Sequence, residues 1–328
     1  MRFGAYIVCF LLLFPTSTVF AQNALERAYE LLQKGTELPE NLRSGRSMVL
    51  VRSELSQSLT SGAGLEMLTT EFHQRLMEMN IDVVAYYRWQ DLVAGFDATN
   101  SYLKNIKDRE AAQLLILHAK PGDFNLHIVP TSEDRLFHPE SPAWHSTNST
   151  LEGLVENLAS AVRRSDLEIA NFLIAETPEF FIDTRIFAKN RFESFQPDLK
   201  LDKLAVPLFH SENPDSLGNV EDRELRSLIV SQYPFSFELV GNQMNEELMK
   251  KAGFQYVLRY LHAEETTLLT LLDYNDESDE PTRKSYKFYV KHLISGDIYL
   301  GDGWDSRTNW QSALTSHISN MRRSLKVE

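Results

Sequence analysis

With 328 residues, 33 basic and 46 acidic side chains, and a net charge of −13, the chain is long enough for two cored domains. It is too acidic for nucleic acid or anionic lipid head groups to be its main partners. Its single cysteine, Cys9, excludes an internal disulfide, and its place in the leader described next excludes thiol catalysis and Cys-ligated zinc in the mature protein.

Arg2, an apolar run over residues 5–14 and the small-residue exit Val19-Phe20-Ala21 predict a cleaved secretory signal peptide over residues 1–21. The run is shorter than the ~20 residues of a spanning helix, and Cys9 lacks the small residues that precede a lipoprotein cysteine. The expected product is periplasmic or extracellular, with no membrane insertion after cleavage. Residues 22–46 read as a lead-in helix and linker, with Asn23 as cap and Gly35 as stop.

A first α/β module is expected over residues 47–164. Ser47-Met48-Val49-Leu50-Val51 is an apolar run of the kind buried on both faces. Leu65, Leu68, Phe72, Leu76 and Met79 then recur at helical spacing up to Asn80, a left-handed cap. A strand over 81–87 and a helix from Trp89 through Leu103 and Ile106 follow. Two strands, 114–118 and 124–129, flank a Pro121-Gly122 turn that signals a hairpin. Ser149 and Glu152 spell a capping box for the last helix, which ends at Arg163-Arg164.

Residues 165–203 are an apolar connecting segment. Phe172, Phe180, Phe181, Phe187, Phe192 and Phe195 make it too apolar for a free linker. We expect one or two strands here, packed against the second module or between the two, with Phe192 and Phe195 presented as a partner-binding face.

The second module, 204–328, repeats the order of elements. Strands are expected over 204–209, 235–240, 255–262, 267–274 and 285–293, with helices around Leu225 and Ile229 and over 242–252. An acidic run over 273–280 reads as a solvated loop, with binding of a cation such as calcium as the alternative. A final helix carries a capping box at Thr308 and Gln311. Trp144-His145-Ser146 and Trp304-Asp305-Ser306 mark the two copies, each tryptophan anchoring the closing helix of its module. The fold class is therefore α/β (α+β): two tandem βαβαββα modules, each a mixed sheet with helices on one side.

The strand "LAVPLF", the passage "EELMKKAGFQYVL", the pair "SGDIYLGDGW" and the closing amphipathic helix together make the second half resemble the TolB amino-terminal and CsgG-type periplasmic domain families. The resemblance covers about residues 204–325 and, more faintly, 47–162. It implies the βαβαββα fold and a non-catalytic job in binding partner proteins or building envelope assemblies. No lipoprotein cysteine, β-propeller or barrel strand accompanies it, and it implies no particular site residue.

The chain has no G-x-S-x-G, glycine-rich phosphate loop, H-E-x-x-H or EF-hand pattern, so no cofactor or metal is expected. His118 and His127 on paired strands are diagonal neighbours, a long separation for two ligands of one ion, and read as polar-face histidines. Asp302 and Asp305 beside Trp304 are the most enzyme-like group. A carboxylate pair next to an aromatic ring can hydrolyse a glycoside, the ring stacking on the sugar. The expectation is a protein-binding scaffold that uses Phe192, Phe195, Trp304, Asp302 and Asp305. The alternative is a glycan-directed hydrolase using Asp302 and Asp305.

Overall fold

A computed structural model describes residues 22–54, 62–132, 136–174, 176–181, 190–242, 244–274 and 278–327. The expected signal peptide, residues 182–187 of the connecting segment and part of the acidic run lie outside the described residues.

The first half begins with α1 (Gln22–Glu30) and β1 (Gln33–Gly35). It continues with β2 (Arg46–Ser53), α2 (Gly62–Glu78), β3 (Asp82–Arg88), α3 (Trp89–Leu92), α4 (Phe96–Asp108), β4 (Ala111–Lys120), β5 (Asp123–Pro130), β6 (Pro142–Asn148) and α5 (Leu151–Arg164). Asn80, at φ 60°, stops α2 in the left-handed region, and Gly122, at φ 70°, closes the β4–β5 hairpin where Lys120 faces Asp123. The helix expected from Trp89 onward is broken into α3 and α4 at a corner holding Ala94 and Gly95. The cap of α5 is Thr150, whose extended backbone immediately precedes the first turn and whose side chain accepts from Gly153 N; Ser149 lies one residue too early.

The connecting segment is shared between the halves, the second of the two expected placements. Its β7 (Glu179–Phe180) pairs with β3, and its β8 (Arg191–Phe192) pairs with β13 (Ile298–Tyr299) of the second sheet. The rest of the second half comprises β9 (Leu204–Pro207), α6 (Val220–Gln232), β10 (Phe237–Val240), α7 (Glu246–Lys251), β11 (Tyr256–Glu264), α8 (Glu265–Leu271), β12 (Lys284–His292) and α9 (Trp310–Ser324). Residues 265–271 form a helix where a strand is expected. Leu268, Leu271 and Leu272 are spaced i, i+3, i+4, so a helix buries all three on one side, whereas a strand would split them between faces. The cap of α9 is Asn309, again one residue from the predicted position.

The six strands of the second sheet repeat six of the seven in the first, β7 being the addition. The first has the order β1-β6-β5-β4-β2-β3-β7, and the second, read from its other end, β8-β13-β12-β11-β9-β10. In both, the opening strand lies parallel to its two neighbours, the hairpin that follows is antiparallel, and a short strand from before the module runs parallel to the last one. The first module thus has a further strand, β6, not expected from sequence. The ladder also corrects the repeat marker. Trp144 lies between Gly35 and Ile128, the place that Tyr299 takes between Phe192 and Val290. Trp304 lies beyond its sheet and is not the counterpart of Trp144.

Both sheets are mixed, giving an α/β fold of two sheet-and-helix modules. Helices cover both faces of each sheet, not one. Val49, Val51, Leu115 and Leu117 pack beneath α2 and α5, while Met48, Leu50, Leu114 and Ile116 pack with α3, α4 and α1. Uninterrupted apolar runs such as Met48–Val51 require this, since alternate side chains point to opposite faces. In the second module Val206, Leu258 and Phe288 lie under α6 and α9, and Ala205 and Val257 lie under α7.

Part of that second face is covered by the first module. Ala94 and Ala98 join Leu261, Leu268, Leu271 and Tyr289 in one apolar cluster, and His262 N donates to Ala94 O at 2.7 Å. Gly95 permits the approach, because a Cβ there would lie 2.7 Å from Tyr260 O. Asp97, at the start of α4, accepts from the Tyr289 hydroxyl and from Lys291 Nζ, with Arg259 Nε 4.0 Å away. Burial works to raise the Asp97 pKa, and the Lys291 and Arg259 charges and the two hydrogen bonds outweigh it, holding the carboxyl below its usual range.

Candidate functional site

Asp302 and Asp305 belong to the turn between β13 and α9, and they part company there. Asp302 is exposed, with 56% of its side-chain surface in solvent, and its nearest cation is Arg323 Nη1 at 3.8 Å. Asp305 is buried. It takes a hydrogen bond from Lys287 Nζ, which is fully buried and also donates to Leu300 O at 3.1 Å, and a second from Asn320 Nδ2 at 2.8 Å. His317 Nδ1 lies 3.6 Å away, beyond hydrogen-bond length.

Burial acts to raise the Asp305 pKa, but His317 and Lys287 overcome it and hold the carboxyl at about 2. Burial also pulls the Lys287 ammonium below its usual pKa, with Asp305 opposing. Asp302 lines an open groove at the sheet edge, and Asp305 is not among the residues that line it. The buried group fastens the turn to the sheet.

Trp304 is half-buried and occupied. Its Nε1 donates to the buried Glu265, its ring meets Tyr274 at 4.8 Å, and Lys287 Nζ lies 5.6 Å from the ring centroid. It packs against the α8 side of the sheet, so the closing helix is anchored by Trp310 instead.

Phe192 and Phe195, expected on one surface, are separated. Phe195 is 4% exposed, lies in the core beneath α9 and meets the His317 ring edge-on at 5.3 Å. The chain turns inward after β8 into the short 3₁₀ helix Pro197–Lys200, and Phe195 enters the core with it. Phe192 stays 41% exposed and stacks on Tyr299 at 5.5 Å and 24°.

Together Arg191, Phe192, Glu193, Ser194, Asp302 and Ser324 line an open groove of about 490 Å³ at the β8 edge of the second sheet. Of the five residues singled out by sequence, the structure brings Phe192 and Asp302 together there and places Phe195, Trp304 and Asp305 elsewhere. Sequence reasoning missed Arg191, Glu193, Ser194 and Ser324. The first three flank Phe192 in sequence, but Ser324 comes from the far end of α9 and only the fold brings it near.

His118 and His127 do share a face, and His145 from β6 joins them. Among the described residues no group of three or more His, Cys, Asp or Glu side chains could hold a metal ion. The histidines are engaged otherwise: His118 Nε2 lies 2.8 Å from Glu54 Oε1, and the His127 and His145 ring centroids are 4.4 Å apart. Comparison with protein-family models, with curated proteins and with solved structures finds no match for this chain.

Proposed function

We propose that this chain is an exported, non-catalytic binding or assembly protein of a bacterial envelope, and that it docks a partner protein in the groove beside Phe192. The observation that carries the reading is the composition of that groove. An aromatic ring, stacked on Tyr299 yet two-fifths exposed, is rimmed by Arg191, Glu193 and Asp302. Aromatic and arginine anchors within a polar rim are the features that concentrate binding energy at protein interfaces.

The hydrolase alternative needs Asp302 and Asp305 in one cleft, and burial of Asp305 against Lys287 argues against it. Export rests on the leader-like residues 1–21, together with the resemblance to periplasmic domain families. Among the described residues, no helix is long and apolar enough to cross a membrane.

Recombinant export tests both parts. Amino-terminal sequencing of the product should begin at Gln22. Turnover on a panel of glycans, lost in Asp302→Asn, would refute the non-catalytic reading, and retention of the leader would refute export.

A further inference from the structure

The face of the first sheet beneath α1 presents histidines from three adjacent strands. His118 lies on β4, His127 on β5 and His145 on β6, and His127 stands directly opposite His145 in the ladder. Tyr29 of α1 sets its ring edge-on to His127 at 5.2 Å and to His118 at 6.3 Å, with its hydroxyl 3.4 Å from His127 Nδ1. Nearly one turn earlier, Glu26 accepts from Arg52 Nη1 and from the Trp89 indole, each at 2.7 Å. Leu25 and Ala28 complete the contact with the apolar cluster. A helix of nine residues does not hold itself together in water, so α1 exists as a helix because it is docked.

The ionisable groups facing this contact are Glu26 and Tyr29 from α1, Lys34 from β1, Arg52 from β2 and Glu54 just after it, His118 and Lys120 from β4, Asp123 and His127 from β5, and His145 from β6. Protonating the imidazoles would add up to three cations to a neighbourhood that already holds Arg52, Lys34 and Lys120. Burial, then His145, Lys34 and His118, push the His127 pKa down to about 3, and burial lowers those of His118 and His145 as well. With α1 removed, the rings regain water and move back toward the ordinary imidazole value of ~6.5. The released form therefore binds more protons. Docking is fully favoured above about pH 6.5 and weakens as pH falls through the window down to about 3.

We propose that α1 is an acid-released latch: protonation of the His118, His127 and His145 cluster frees the helix and uncovers Trp89 and the histidine face while both sheets stay folded. Hydrogen exchange on the full chain, corrected for intrinsic rates, reads this directly. Between about pH 7.5 and pH 4.5, protection of the α1 amides should fall by about tenfold or more, while β2 and β4 keep theirs. His127→Phe fills the same space and takes no proton, so it should move the release to lower pH. If that variant does not fold, His145→Asn gives the same reading. Constant α1 protection, loss in step with the β4 amides, or release at an unchanged pH in the folded variant would each overturn the proposal.

Discussion

The Tyr289 hydroxyl of the second module donates a 2.8 Å hydrogen bond to Asp97 of the first, and both side chains are buried. Lys291 completes the contact from the same strand, so one carboxylate from α4 ties down two groups of β12. Asp97→Ala should cost about 3 kcal/mol in denaturant unfolding, the low end for breaking a buried ion pair, because Glu246 still pairs with Lys291. Tyr289→Phe should cost about 1 kcal/mol. Since the Asp97 pKa is lowered by folding, its contribution is present above the ordinary carboxylate range near ~3.9 and is lost as pH falls below it. Unfolding measured at a series of acid pH values checks that sign: the difference between wild type and Asp97→Asn should shrink as pH falls.

Gly95→Ala addresses the same joint through sterics. The new methyl would lie 2.7 Å from Tyr260 O and 2.9 Å from Leu261 Cδ2, and backbone cannot yield as a flexible side chain does. A loss of about 1–3 kcal/mol is expected, together with faster exchange at the His262 amide, whose acceptor is Ala94 O.

The buried Lys287 and Asp305 pair makes a third case. Lys287→Met should destabilise the second module by about 3–5 kcal/mol, because it strands a buried carboxylate. The double variant Lys287→Met/Asp305→Leu should recover much of that loss, since an apolar pair of similar volume removes both desolvation penalties. A double-mutant cycle in thermal unfolding measures the recovery. If the double variant is as unstable as the sum of the singles, the pair is not a coupled unit.

Sequence patterning carried the architecture further than the site. Helical spacing, the Asn80 stop and the Pro121-Gly122 hairpin were legible because local chemistry decides them. The duplication was legible as an order of elements, yet its most visible marker was a coincidence. Trp144 is matched in the ladder by Tyr299, five residues before Trp304, because pairing register, not residue identity, sets equivalence. The helix Glu265–Leu271 was hidden since a short apolar run has no period of its own. Phe192 and Phe195 looked alike in sequence, and Asp302 and Asp305 did as well. Tertiary packing separates each pair, and no spacing rule encodes it.

That separation gives a fourth expectation. Phe195→Ala should cost about 3–5 kcal/mol by emptying part of the core beneath α9. Phe192→Ala should cost less than about 1 kcal/mol, because two-fifths of its surface is already in water. Comparable melting-temperature losses for the two would show that Phe192 is a core residue.

Binding through the groove beside Phe192 is tested most directly by titrating wild type and Phe192→Asp with a partner captured from envelope extracts and then purified. A saturable, stoichiometric isotherm for wild type is predicted. In the variant, affinity should weaken by at least about 2 kcal/mol, some thirtyfold, with an unchanged melting temperature. Equal affinity for the two proteins would contradict the account.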